Sequence, residues 1–183
     1  MTKLPPDPQS AERQKRIDVL ATELETQTDR GVAILAAAWL DDAIKTTLHS
    51  CLNYHKESWE RLFEVGGALD SLSSRIDLLT LLGVISPGAR SELHRIREIR
   101  NDFAHLVAHK DNHESLTLAS PHISDKIRSL VCLGKAKDEN PRHLFIRACL
   151  WYVAEFDMVW FFKEKVGDVG YIHLPTEGPR VAA

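Results

Sequence analysis

The stretch Ile96 to His105, "IREIRNDFAH", brings Arg100, Asn101 and His105 within two helical turns of one another. These residue types suit phosphate chemistry. A guanidinium is planar and matches two phosphate oxygens, and an imidazole can gain or lose a proton near neutrality. In a ribonuclease His105 would help deprotonate a ribose 2′-hydroxyl, while Arg100 would stabilise the charged phosphorane. A structural explanation competes with this one. Leu93, Ile96, Ile99, Phe103, Leu106 and Val107 fill one arc of a helix, and the spacing places Arg100 at the edge of that arc. There it would pair with a carboxylate from Asp41, Asp42, Asp70 or Asp77, with His105 bonded to a backbone carbonyl. Asn101 and His105, four apart, share a separate polar face. In an ideal helix Arg100 and His105 diverge by about 140 degrees, so one copy does not aim both at a common point. The catalytic version therefore needs a broken helix, a long reach by the arginine, or a second subunit, and so anticipates a homodimer.

Other chemistry has less support. His105, His109 and His113 recur at i,i+4 spacing, which could hold a zinc or nickel ion on a continuous helix. The segment "HKDNH" reads instead as a helix end, so neither a metal nor a cofactor is expected. No Gly-x-Gly-x-x-Gly, P-loop or Gly-x-Ser-x-Gly occurs, which leaves nucleotide-cradling and serine-hydrolase classes without a motif. The aromatics of "WYVAEFDMVWFF" lack interleaved Lys and Arg, and read as core or helix interface rather than a base-stacking platform.

The elements that must position these residues are helical. Ser10 is a candidate cap for a first helix from about Ala11 to Gln27, with Ile17, Leu20 and Leu24 on one face. Thr28 or Asp29 caps a second helix, whose apolar run Val32 to Leu40 continues through Ile44, Leu48 and Leu52, as suits a central helix covered on several sides. A short helix is expected around Trp59 to Phe63, before the turn signal Gly66-Gly67. Leu72 to Leu82 forms the next helix and stops at Gly83, a residue able to adopt positive φ. Ser86-Pro87 then starts a helix that runs to about His109. Ser124 caps a short helix through Ile127, Leu130 and Val131, and Asn140-Pro141 opens the last long one, with Phe145, Cys149, Val153, Phe156 and Trp160 on one side and Gly167 at its end. A weak strand signal sits at Leu116 to Leu118. The fold class is all-α: a single-domain helical bundle with disordered termini, made of a flexible leader over 1–10, a helical domain over 11–166 and a loose tail over 167–183.

Composition agrees with one sizeable core: 183 residues, 44% hydrophobic and 27% charged. Cys51, Cys132 and Cys149 are widely spaced and form no Cys-x-x-Cys pair, as expected of apolar core residues in a reducing cytoplasm. Neither a secretory signal nor a membrane-spanning run is apparent, so a cytoplasmic protein is expected. The net charge of −3 lacks the cationic surplus needed to neutralise a duplex backbone, and specific DNA binding by this chain alone is not expected.

The phrase "RNDFAH" resembles the Arg-Asn-x-x-x-His signature of the HEPN superfamily of helical proteins, whose active members are metal-independent RNA endonucleases working as dimers. That resemblance implies catalytic roles for Arg100 and His105, with Asn101 as the polar residue after the arginine. A wider likeness runs from "DRGVAILAAAWLDDAI" through "GALDSLSSRIDLLTLLGVIS" to "LHRIREIRNDFAH", strongly over Asp29 to His105 and weakly through "PRHLFIRACLWYV". It resembles the mannitol operon repressor family, HEPN-like helical proteins without a recognisable DNA-binding module. The resemblance implies a regulatory role exercised through protein partners, with RNA as the partner if the nuclease chemistry is present. One departure is Arg75 in "SSRID", where the family often has lysine; the charge is kept and the geometry is not.

Overall fold

The computed structural model describes residues 10–105, 116–134 and 139–166. Seven α-helices occupy them: α1 (Ser10–Glu25), α2 (Asp29–Cys51), α3 (Lys56–Phe63), α4 (Leu72–Leu81), α5 (Pro87–His105), α6 (Pro121–Arg128) and α7 (Pro141–Val166). A 3-10 turn at Val131–Leu133 precedes α7, and the described residues contain no strand, including Leu116 to Leu118. The expectations for the leader, the tail, Leu106, Val107, His109, His113 and Gly167 lie outside the described residues.

Helix α2 is central for the reason its composition suggests. Val32, Ala33, Ala36, Leu40, Ile44 and Leu48 are all at or near zero exposure, and the small alanines let neighbours approach closely. It packs chiefly on α7, then on α5, α4 and α1. Thr28 caps it, its hydroxyl accepting from Gly31 N at 3.1 Å. From α7 the core takes Phe145, Cys149, Val153 and Phe156, as their helical spacing anticipates, and Tyr152 in addition; the side chain of Trp160 lies outside the described residues. Cys132 and Cys149 are buried and Cys51 is half-buried. Burial pushes both buried thiols well above the usual cysteine range, because a thiolate there would lose its hydration.

Charged side chains fix the helix ends. Arg142 on α7 donates to Asp29 Oδ1 at 2.5 Å and to the carbonyls of Leu24, Glu25 and Gln27, so one guanidinium closes the end of α1 and ties it to the start of α2. Near the middle of α1, Arg16 pairs with Asp157, so α1 and α7 are antiparallel neighbours.

Several boundaries differ from expectation. Ser10 is the first helical residue of α1 rather than its cap, and the helix ends two residues early, at Glu25. Helix α3 starts at Lys56, capped by the His55 ring accepting from Ser58 N, a capping role that composition does not advertise. Helix α6 begins at Pro121, so Ser124 lies inside it rather than at its start. The signal was Ser120-Pro121, the same serine-proline start used at Ser86-Pro87.

The α4 terminus follows the expected pattern. Gly83 has φ of 71°, and the bonds Gly83 N to Thr80 O and Val84 N to Leu79 O form a Schellman closure. Gly83→Val will lower stability by on the order of 1 kcal/mol or more, since a β-branched residue is strained at positive φ. Urea denaturation checks this, and an unchanged midpoint would contradict it.

Candidate functional site

Arg100 is exposed on α5 and pairs with none of the four aspartates. This corrects the structural explanation of its position. Asp41 is taken by Arg75, whose Nη1 lies 2.7 Å from both carboxylate oxygens. Asp77 Oδ1 accepts from Arg90 at 2.7 Å and lies 3.2 Å from His94 Nε2. The Arg90 bond holds the Asp77 carboxyl below the usual range against the opposing effect of desolvation, with His94 assisting. Asp70 accepts from the backbone of Gly66 at 3.0 Å. Arg100 instead donates to Asn101 Oδ1 at 3.1 Å. The sequence pattern placed the arginine near the apolar arc, but its long stem lets the head reach solvent from that edge.

Arg100 and Asn101 line a cleft of about 380 Å³ between α2, α5 and the start of α4. Its apolar part comes from Ile34, Ala37, Ala38 and Leu72, and its polar part adds Asp41, Asp70, Ser71, Ser73 and Arg97. His105 is not among the lining residues; it sits exposed at the last position of α5, and no hydrogen bond to a backbone carbonyl is present among the described residues. Helix α5 is unbroken over Pro87–His105, so the divergence of about 140 degrees between positions 100 and 105 persists. One copy of the chain thus brings Arg100 and Asn101 together and leaves His105 apart. Among the described residues no group of three potential metal ligands occurs.

The rear wall of the cleft explains why position 75 matters. Arg75 is 5% exposed. Besides Asp41, it donates to the carbonyls of Leu69 at 2.8 Å, Asp70 at 2.9 Å and Phe63 at 3.4 Å, and its head lies over the Phe63 ring. One side chain thereby moulds the segment between α3 and α4. Gly67 contributes by close approach: a Cβ there would sit 2.4 Å from Leu62 O. A lysine keeps the charge at position 75 and cannot reproduce this fork of bonds.

Arg97 is the cleft residue that motif analysis overlooks. It lies three positions before Arg100 on the same helix side, a relation visible in "RIREIR" once the cleft is known. Its Nε is buried with no hydrogen-bond partner, an arrangement that costs about 1–3 kcal/mol.

Because Arg100 and His105 are exposed and bear none of the described core contacts, Arg100→Ala and His105→Ala should each change stability by less than about 0.5 kcal/mol. A loss of several kcal/mol in either variant would return these residues to a structural role.

No protein-family model matches the chain, and no curated protein matches it in sequence. Among solved structures it is similar to MtlR in the X-ray structure of the MtlR-HPr complex from Escherichia coli. The TM-score is 0.63 at 17% identity, with 78% of this chain and 99% of that chain covered. At this identity the likeness is one of fold: the all-α bundle described above is similar to that of MtlR over nearly the whole of the solved chain.

Proposed function

We propose that this chain is a cytoplasmic regulatory protein of the mannitol operon repressor type, acting by binding a protein partner rather than duplex DNA. The observation that carries this reading is the fold likeness to MtlR, a protein whose structure is that of a complex with HPr. The sequence resemblance over Asp29 to His105 points the same way. A net charge of −3 supports the absence of direct operator contacts, which a partner would then supply. Among the described residues no helix is long and apolar enough to cross a membrane.

The partner class to test is HPr from the same cell. Calorimetric titration with the full chain is expected to give a Kd of about 1 μM or tighter, near −8 kcal/mol. Absence of heat and of co-elution at about 100 μM of each protein would refute HPr as the partner, since this excludes any Kd in the expected range.

A second reading, the metal-independent endoribonuclease, rests on one observation: Arg100 is free of carboxylates and stands in a cleft beside Asn101. It requires a homodimer that brings the arginine of one copy to the histidine of the other. Cleavage of total RNA in EDTA, abolished by both Arg100→Ala and His105→Ala, would establish it. Intact RNA after prolonged incubation would end it.

A further inference from the structure

We propose that the cleft between α2, α4 and α5 binds a small phosphate monoester through the guanidinium groups of Arg97 and Arg100. Both arginines line the cleft, and neither has a carboxylate partner among the described residues. Two like charges one helical turn apart repel, and a dianionic head between them converts that repulsion into charge-assisted hydrogen bonds. The buried Nε of Arg97 lacks an acceptor. A modest shift of the guanidinium toward a bound anion would let it find one.

The rest of the lining narrows the ligand. Asp41 and Asp70 belong to the same cleft; Arg75 offsets the Asp41 charge, whereas Asp70 accepts from the neutral Gly66 amide and keeps its own. The Asp70 carboxylate in the wall disfavours a ligand with a second anionic group, which sets a monoester apart from a diphosphate or a dicarboxylate. Asn101 accepts from Arg100 through Oδ1, leaving its amide hydrogens for a phosphate oxygen. Ile34, Ala37 and Ala38 offer an apolar floor for a short uncharged body, and a volume of about 380 Å³ lies at the low end of small-molecule sites. The site is independent of the protein-partner reading and does not use His105.

Calorimetry on the full chain in phosphate-free, low-salt buffer tests this, with glycerol 3-phosphate as the monoester, inorganic phosphate as the head alone, and Arg97→Gln, Arg100→Gln, His105→Ala and Arg61→Gln as variants. Arg61 is exposed and outside the cleft. Glycerol 3-phosphate should bind saturably with a Kd below about 1 mM and more tightly than inorganic phosphate. Affinity should fall at least about tenfold in each of Arg97→Gln and Arg100→Gln, and stay unchanged in His105→Ala and Arg61→Gln. Because Arg100 is exposed, its variant should keep the parental melting temperature, so a loss of binding there is not a loss of fold. No saturable binding up to about 10 mM, equal affinity in both cleft variants and the parent, or inorganic phosphate binding as tightly as the monoester would each overturn the proposal. Failure of HPr to bind would leave it standing.

Discussion

Arg75→Ala will lower the unfolding free energy by about 3–5 kcal/mol, the range for breaking a buried, hydrogen-bonded charge pair from one side. The deletion removes the partner of Asp41 and the donor to three carbonyls, at Phe63, Leu69 and Asp70. Asp41 keeps 33% side-chain exposure and can recover some hydration, so the carbonyls and the cavity carry a large part of the loss. Arg75→Lys should fall between parent and alanine, because an ammonium meets Asp41 but lacks the planar fork that serves the carbonyls as well. Urea denaturation of the three proteins gives the ranking. A loss under about 1 kcal/mol in Arg75→Ala would show that the segment between α3 and α4 holds its shape without the guanidinium. Since that segment forms one wall of the cleft, the variants should also weaken glycerol 3-phosphate binding while leaving Arg97 and Arg100 in place.

Glu92→Leu should cost a similar amount, about 3–5 kcal/mol, by the opposite logic of orphaned donors. Glu92 is 4% exposed on α5 and accepts from Val131 N at 2.8 Å, Cys132 N at 3.2 Å and Tyr152 OH at 3.0 Å. Its carboxylate thus caps the 3-10 turn that leads toward α7 and joins α5 to α7 through the tyrosine. Leucine fills much of the volume and leaves the buried Cys132 amide and Tyr152 hydroxyl, and the part-buried Val131 amide, without their acceptor. Glu92→Gln retains one carbonyl oxygen and turns an amide group toward donors, so it should cost less than leucine and more than a surface change. The loss has a local signature. Amide exchange at Val131 and Cys132 should accelerate more than exchange in α2, and Cys132 should react faster with a maleimide as the turn opens. In the parent, burial pushes the Cys132 thiol up, and the Glu92 charge and hydrogen bond push it further, which keeps it inert. Unchanged Cys132 reactivity in Glu92→Leu would contradict this account.

What the amino-acid sequence determined by itself is the part of the fold governed by short-range rules. Period-3.6 patterning placed the major helices, because burying one face is a local requirement on residue type. The Thr28 cap, the Gly83 stop and the Pro87 start were legible because each answers a backbone need within one turn. The same rules fail at two helix starts for different reasons: a histidine, not a standard capping residue, caps α3, and at α6 two serines compete as the start, with Pro121 deciding for Ser120. The divergence of Arg100 and His105 was also calculable in advance, since it depends only on helix pitch.

Only the tertiary structure decided which charges meet. Asp41 and Arg75 are 34 positions apart, and Glu92 and Tyr152 are 60 apart. Helical spacing made Arg100 the natural partner of an internal aspartate and gave no sign that Glu92 is buried. The packed bundle decides both, because a guanidinium on a long stem can reach solvent from a half-apolar edge, whereas a carboxylate facing two free amides and a hydroxyl is stable without it. The same packing makes Arg97 part of a cleft, a property that belongs to the arrangement of α2, α4 and α5 and to no segment alone.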